Sequence, residues 1–284
     1  MKDLFLTSKI QVVREAKMLK IIGEEYKKIP VNLIRSVYSF GNVEITPGAR
    51  NLLLEYGKSI YFFSHKAEFR GVLHNAKLQS NYTNRLLQYK YMENLELAKF
   101  IINYKIETIE TYTKKSLQRY KDKLSSQSSL NEILGTEGAS SIYMFEKIKE
   151  KLKLNGIDEF KKREYRPVKD RINGLLSFIY TLYYSFLHTI IVNEGFDPYI
   201  GFLHKKRGKH MAFVSDVIEG YRVVLSAFVV ELYIKELNSK DFEGLYLTFE
   251  GRRKFIRRYI DLLEHMDHYE FLNKIKDRLY QLDN

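Results

Sequence analysis

The sequence predicts an α+β protein of two domains: a small β-rich, β-sandwich-like N-terminal domain and a larger all-α C-terminal domain. Short runs of β-branched and aromatic residues, bounded by turn residues, fill the first 75 positions. Beyond them, apolar residues recur at helical spacing to the end of the chain. We therefore predict domains at residues 1–75 and 80–284, each of ordinary domain size.

The N-terminal domain is predicted to hold several strands and one helix. Its helix is bounded by recognisable end signals: Thr46 can cap it, Pro47 suits its first turn and Gly57 can end it. The strand-like runs are DLFLT, QVVRE, KMLKII and SIYFFS.

The C-terminal domain is predicted to be helical throughout. A long periodic segment covers residues 84–124, and the polar segment SSQSSLNEILGTEG that follows it predicts a break between helices. Further helices are predicted over Ala139–Leu152, Ile172–Val192, about Phe213–Leu237, and residues 249–282.

The charge balance favours a polyanionic partner. Lys and Arg number 47 against 35 acidic residues, which gives a formal net charge of +12, so nucleic acid or an anionic membrane surface fits. The chain has no cysteine, which excludes disulfides and thiolate zinc sites and favours a reducing compartment. The opening residues lack the apolar core of a signal peptide, and we expect a cytoplasmic protein.

One segment leaves a membrane reading open. Ile172–Val192 contains no Asp, Glu, Lys or Arg and is long enough to cross a bilayer. However, Ser177, Thr181, Ser185 and His188 interrupt it, and a helix that is apolar nearly all round also suits the centre of a large helical domain. We predict a buried helix of a soluble protein and no membrane partner.

A histidine, a basic loop and two carboxylates form one candidate site. His204 precedes the cationic loop 205–210, and Asp216 and Glu219 follow at a spacing of three, which places them on one face of a helix. One imidazole with two or three carboxylates is a ligand set that suits Mn²⁺, with Mg²⁺ also plausible. A solvated helix face beside a charged turn explains the same spacing equally well.

Two other features carry a weaker signal. Glu137 follows a glycine-flanked loop where a helix is predicted to begin, and a carboxylate there is often only a partner of the helix dipole. His265, Asp267 and His268 have a ligand-like spacing, but their surroundings predict an ordinary amphipathic helix with a polar side.

Five stretches, in a fixed order, carry a family resemblance. They are IPVNLIRSVYSFGNVEITPGARNLLLEYGKSIYFFS (29–64), EGASSIYMF (137–145), INGLLSFIYTLYYSFL (172–187), GFDPYIGFLHKKRGKHMAFVSDVIEGYR (195–222) and LYLTFEGRRKF (245–255). Together they resemble the CRISPR-associated integrase family that acquires new spacers, over nearly the whole chain. Two departures stand out: EGYRVV replaces a more regular proline-bearing run, and Glu107 and Thr108 follow Lys105-Ile106 where the family usually has an Asn.

The resemblance implies a metal site and a reaction. Its metal ligands fall on Glu137, His204 and Glu219, with Asp216 as a further acidic residue near the site, and the implied ion is Mn²⁺ or Mg²⁺. It implies a DNA endonuclease and integrase in which the 3′-hydroxyl of an incoming fragment attacks a repeat-end phosphodiester.

The resemblance also implies partners: spacer-precursor and CRISPR-repeat DNA, a second copy of the chain paired through the β-rich domain, and the CRISPR-associated protein conventionally numbered two. A scaffold of the same fold that binds nucleic acid without catalysis is the alternative. The residues expected to hold DNA phosphates are cationic: Lys205, Lys206, Arg207 and Lys209 in the loop, and Arg252 and Arg253 with Lys254, Arg257 and Arg258.

Overall fold

The computed structural model describes residues 2–7, 9–23, 26–75, 82–165, 167–205, 208 and 210–283. A strand-rich N-terminal region precedes a helical C-terminal region, which confirms the predicted fold class. The chain divides into two compact units: a strand unit, Met1–Asn81 with Arg252–Asp267, and a helical unit, Tyr82–Gly251 with His268–Asn284. The domain limits at 1–75 and 80–284 stay predictions.

The strand unit contains two four-stranded sheets and one helix. In the first sheet the order is β1-β5-β7-β8, with β1 and β7 both parallel to β5. In the second the order is β4-β3-β2-β6, and β2, β3 and β4 form an antiparallel meander. The strands are β1 (Lys2–Leu6), β2 (Gln11–Glu15), β3 (Met18–Ile22), β4 (Tyr26–Pro30), β5 (Ile34–Phe40), β6 (Glu44–Ile45), β7 (Ser59–Phe63) and β8 (Phe69–Leu73).

One apolar core joins both sheets to helix α1 (Pro47–Glu55). Val37 of the first sheet, Leu19 of the second and Leu52 of α1 belong to the same buried cluster, as the β-sandwich-like prediction requires. The helix begins as predicted, because the Thr46 side chain accepts a hydrogen bond from the Ala49 amide. It is followed by Gly57 at φ +68°, a conformation that favours glycine.

The helical unit contains most of the remaining helices. The buried helix predicted at Ile172–Val192 is present as α6 with nearly the same limits. The helices are α2 (Tyr82–Lys90), α3 (Leu95–Thr113), α4 (Gln118–Ser125), α5 (Leu130–Leu154), α6 (Arg171–Asn193), α7 (Ala212–Ile218), α8 (Arg222–Lys235), α9 (Phe249–His265) and α10 (Glu270–Asp283); a short hairpin, β9 (Phe242–Glu243) and β10 (Tyr246–Leu247), precedes α9.

Three helix boundaries differ from the prediction. A break between helices does fall inside the predicted segment, at residues 126–129, but it is shorter than predicted: α5 begins at Leu130, where Ser129 and Glu132 form a capping box. The predicted helix start at Ala139 is therefore wrong, and Glu137 lies inside a helix. The segment predicted as one helix over about Phe213–Leu237 is two, α7 and α8, separated at residues 219–221. The segment 249–282 is also two helices, α9 and α10.

Helix α6 is long and apolar enough to cross a membrane, yet most of it is buried inside the helical unit, where it packs against α7 and α8. That burial is how the core helix of a soluble protein is arranged, and it agrees with the prediction. Helix α8 also packs with α3 and α5, and these three helices contact one another pairwise. This trio positions the candidate site.

Candidate metal centre

A buried lysine joins two of the predicted ligands. Lys105 lies in the apolar stripe of α3, its side chain fully buried, and its ammonium donates hydrogen bonds to Glu137 Oε1 on α5 and to Glu219 Oε2 at 2.6 Å. It also donates to Ser141 Oγ at 2.7 Å, one turn from Glu137 on the same helix. A single cationic nitrogen therefore gathers carboxylates that are 82 positions apart in the chain, at residues 137 and 219.

Glu219 is held by two cations. It follows directly after α7, it is buried, and its second oxygen, Oε1, accepts from Arg222 Nε at 2.6 Å. Burial alone would raise the pKa of Glu219, but the charges of Arg222 and Lys105 outweigh it and lower that pKa to about 2. The side chain is therefore an anion throughout the physiological pH range.

Asp216 organises the loop that carries His204. Its carboxylate is fully buried and accepts hydrogen bonds from the backbone amides of Phe202, Leu203 and His204, at 2.6, 3.1 and 2.9 Å. It also lies 2.8 Å from His204 Nδ1. A carboxylate that holds one nitrogen of an imidazole leaves the other nitrogen, Nε2, for a ligand.

Gly201 permits this close packing. A Cβ atom at residue 201 would come within 2.5 Å of the His204 carbonyl oxygen and 2.9 Å of Asp216 Oδ2, distances that side chains do not adopt. Glycine at this position is therefore a requirement of the loop.

The acidic neighbours of His204 change its pKa. Burial would lower the pKa of His204, but the hydrogen bond and charge of Asp216, together with the charge of Glu219, raise it above the ordinary value of 6.5. Asp216 and Glu219 share a helix spacing of three, as predicted, but they serve different partners. Asp216 fixes the loop, whereas Glu219 meets Lys105 and Arg222.

The donor set fits a hard divalent cation. Glu137 and Glu219 converge on one positive charge, and His204 interacts electrostatically with Glu219. Carboxylate oxygens and an imidazole suit Mn²⁺ or Mg²⁺. Among the residues that the structure describes, no three His, Asp or Glu side chains lie close enough to hold an ion as they stand.

The second ligand-like cluster is divided between two environments. His265 ends α9 at the surface, and its Nδ1 lies 2.7 Å from the Asp261 carbonyl oxygen one turn earlier. His268 is buried, with its ring edge-on to Phe186 and its Nδ1 3.3 Å from the Tyr183 hydroxyl. The single amphipathic helix predicted here is interrupted between them.

The cationic residues are placed as follows. Lys205 is exposed and pairs with Glu93 at 2.8 Å, while Lys206, Arg207 and Lys209 lie outside the described residues. Along α9, Phe255 and Tyr259 are buried, whereas the cationic residues are exposed or half-buried. Arg253, Arg257 and Arg258 are exposed, and Arg252 and Lys254 are half-buried.

Two residues of the site were missed by the sequence analysis, Lys105 and Arg222. Lys105 could have been found, because it continues the apolar stripe of Ile101, Ile102 and Ile109, where a charge needs a partner. Arg222 lies three residues after Glu219, a spacing that common surface pairs also have, so its sequence carries no distinctive signal.

Fold and site together define the class of protein: a β-sandwich-like unit is followed by a helical unit in which Glu137 and Glu219 meet a buried lysine, and His204 pairs with Asp216. The model of the family described as CRISPR associated protein Cas1 matches residues 4–261. This chain belongs to the Cas1 family.

Individual relatives agree over most of their length. The chain is 31% identical to CRISPR-associated endonuclease Cas1 1 of Thermodesulfovibrio yellowstonii, over 84% of this chain and 82% of that protein. It superposes on a CAS1 protein from Thermotoga maritima with a TM-score of 0.69 and 26% identity, over 99% and 96% of the two chains. A chain of a partial Cas6-RT-Cas1–Cas2 complex shares the fold, with a TM-score of 0.79 and 19% identity over 100% and 96%.

Proposed function

We propose that the protein is a divalent-metal-dependent DNA endonuclease and integrase that inserts new spacer DNA into a CRISPR array, a step of antiviral defence. The observation that carries the proposal is the convergence of Glu137 and Glu219 on one cationic centre, beside a His204 imidazole oriented by Asp216. Membership of a family whose relatives are called endonucleases supports the same reading.

Glu137, His204 and Glu219 are the residues that would hold the ion, with Asp216 behind His204. Mn²⁺ or Mg²⁺ bound there would polarise the scissile phosphodiester and favour deprotonation of the attacking hydroxyl. Asp216 keeps the imidazole oriented, and Arg222 keeps Glu219 ionised and fixed. His204 is then a ligand and not a general base.

The reaction is a transesterification. The 3′-hydroxyl oxygen of the incoming DNA bonds to the phosphorus of a repeat-end phosphodiester, and the bond from that phosphorus to the leaving 3′-oxygen breaks. Because the hydroxyl attacks the phosphorus directly, no covalent protein intermediate is needed, and the leaving oxygen takes up a proton as the attacking hydroxyl loses one. The number of phosphodiester bonds is unchanged, so no external energy source is needed. In nuclease mode, water replaces the hydroxyl as nucleophile.

DNA is proposed to bind through cationic residues. The net charge of +12 supplies non-specific attraction for phosphates. In the helical unit we assign this role to Lys205, Lys206, Arg207 and Lys209. In the strand unit, we assign it to the cationic residues of α9, Arg252 and Arg253 with Lys254, Arg257 and Arg258.

We further propose that the N-terminal domain, residues 1–75, pairs two copies of the chain, and that residues 80–284 form the catalytic domain. The working complex would include the CRISPR-associated protein conventionally numbered two, in the cytoplasm. A chain of the same fold occurs in a partial Cas6-RT-Cas1–Cas2 complex. Sedimentation that finds only monomer at micromolar concentration would contradict the pairing.

The deciding experiment is an integration assay with the purified protein, the CRISPR-associated protein conventionally numbered two, a DNA fragment and a repeat-bearing plasmid. We expect Mn²⁺-dependent joining of the fragment to the repeat ends, abolished by EDTA. A catalytically silent scaffold, the alternative, would bind the same DNA and join nothing at any Mn²⁺ or Mg²⁺ concentration.

A further inference from the structure

Lys105 is the one lysine with a fully buried side chain among the residues that the structure describes. An ammonium group that leaves water needs several strong partners, and Lys105 has three: Glu137, Glu219 and Ser141. Ser141 also donates a hydrogen bond to Glu137 Oε1 at 2.8 Å, which ties the arrangement together. The ammonium therefore lies between the two carboxylates proposed as metal ligands.

We propose that Lys105 is a positioning residue that substitutes for the divalent cation while the site is empty, and that it competes with the ion for Glu137 and Glu219. This inference rests on the proposed function, because it assumes that these two carboxylates are ligands. Lys105 holds the two carboxylates together, so binding of the ion requires that Lys105 lose its hydrogen bond to at least one of them.

The charges of the site support competition. Without an ion and with neutral His204, the carboxylates of Glu137, Asp216 and Glu219 outnumber the cations Lys105 and Arg222 by one. A bound dication turns that excess of one negative charge into one positive charge. Lys105 therefore repels the ion most strongly where both seek the same oxygens.

The same charges explain why a cation belongs there when no ion is bound. Glu219 is buried, and Glu137 is brought against the same ammonium. Two neighbouring carboxylates with no cation between them would repel each other and move apart or take up a proton. Lys105 thus keeps the ligands in place at the expense of ion affinity.

The test replaces Lys105 with Met, which is similar in length and has no charge. Mn²⁺ affinity is measured by calorimetric titration and by the free-Mn²⁺ paramagnetic resonance signal, and thermal unfolding is followed with and without Mn²⁺. Lys151→Met is the matched control, because Lys151 also pairs with a glutamate, Glu231, but at the far end of α5 and half exposed.

We expect Lys105→Met to bind Mn²⁺ at least about tenfold more tightly than the wild type. Its metal-free form should unfold at a lower temperature, and Mn²⁺ should raise that temperature by more than it does in the wild type. Lys151→Met should keep wild-type Mn²⁺ affinity. General structural damage would weaken ion binding, so tighter binding with a less stable metal-free form is specific to competition.

Unchanged or weaker Mn²⁺ binding by folded Lys105→Met would overturn the proposal. If that variant does not fold, Lys105→Gln and the wild type replace it. In wild-type protein labelled with ¹⁵N-lysine, a buried ammonium should give a slowly exchanging resonance that shifts on addition of Mg²⁺. A resonance whose chemical shift does not change at saturating Mg²⁺ would contradict the proposed competition.

Failure of the proposed function looks different. If wild type and His204→Ala bind Mn²⁺ equally, the ion is not held by the proposed ligands, and the function itself is in error. If wild type binds Mn²⁺ through His204 while Lys105→Met binds no more tightly, only the role of Lys105 is wrong.

Discussion

Asp216 and His204 are joined at two points: one carboxylate oxygen, Asp216 Oδ1, lies 2.9 Å from the backbone nitrogen of His204 and 2.8 Å from its Nδ1. The other oxygen accepts from the two preceding amides, of Phe202 and Leu203. A single buried side chain thus fixes both the path of the loop and the plane of the imidazole. This arrangement gives Asp216 an orienting role distinct from that of the proposed ligands.

Asp216→Ala should therefore weaken metal binding and the fold together. The loss of its carboxylate leaves three backbone amides without their acceptor, and we expect the free energy of unfolding to fall by about 3 kcal/mol or more. Mn²⁺ affinity should fall about 10–100-fold, as for other residues that orient a ligand. Chemical denaturation and Mn²⁺ titration measure the two effects. Asp158→Ala, at an exposed pair with Lys161, is the control and should change neither.

Loss of a proposed ligand should separate catalysis from DNA binding. Glu137→Ala, His204→Ala and Glu219→Ala should each abolish cleavage and integration, because the ion loses one of three protein ligands, while DNA affinity stays within about threefold of wild type. Glu219→Ala also leaves the charges of Lys105 and Arg222 without this carboxylate, so the stability of that variant must be checked. Glu146→Ala, exposed on the same helix as Glu137, is the control. Near-wild-type cleavage by His204→Ala in Mn²⁺ would refute the assignment.

The raised pKa of His204 predicts opposite pH trends for stability and for ion binding. Relative to His204→Gln, the metal-free wild type should have its full stability advantage below the ordinary pKa of 6.5 and lose it as pH rises through the raised pKa. Mn²⁺ requires the neutral imidazole, so its affinity should fall as pH drops below that same value. Thermal unfolding and Mn²⁺ titration between about pH 6 and about pH 9 check both trends. If the stabilities of the wild type and His204→Gln change in parallel with pH, the assigned role of His204 is wrong.

The cationic residues of α9 should set the salt dependence of DNA binding. Replacing Arg253 and Arg257 with Gln should lower the slope of log affinity against log salt by about 0.9 for each DNA phosphate that the variant no longer neutralises. Fluorescence anisotropy with labelled duplex DNA at several salt concentrations measures the slope. Lys28→Gln, which removes a cation paired with Glu15, is the control. An unchanged slope in the double variant would remove α9 from the DNA interface.

Gly220 should tolerate no side chain. A Cβ atom at this position, which follows Glu219 in the chain, would lie 2.4 Å from the ring of Phe271. Gly220→Ala should therefore destabilise the protein by about 1–3 kcal/mol. Gly135→Ala should do the reverse: it lies within α5 with open space around it, and alanine should stabilise that helix by about 0.5–1 kcal/mol. Denaturant unfolding of both variants tests the pair.

Local signals predicted the elements that have strong ends or strong periodicity. Helix α1 has a capping threonine and a terminal glycine, and α6 has a long apolar run, so both were found. Helix α5 was placed too late because Gly135 and Gly138 resemble a break. Glycine inside a helix costs only about 1 kcal/mol relative to alanine, and the capping box at Ser129 and Glu132 determines the true start.

The site was harder to predict because its contacts are not local. The acidic and histidine positions were visible as residue types in recognisable stretches. That Lys105 joins Glu137 to Glu219, and that Asp216 faces the loop while Glu219 faces α3, depends on how α3, α5 and α8 pack. No spacing along the chain contains that information.

The close approach at Gly201 has a consequence for how this loop can change over evolutionary time. Any side chain at residue 201 would displace the Asp216 carboxylate, which would then release the His204 ring. The effects of substitutions at these three positions should therefore be strongly non-additive. Once residue 201 carries a side chain, loss of the Asp216 carboxylate should do little further harm to the loop, and in that double variant the reversion of either position alone should not restore the loop. We therefore expect these three residues to be kept or lost together in evolution, although Gly201 has no side chain that could contact a substrate.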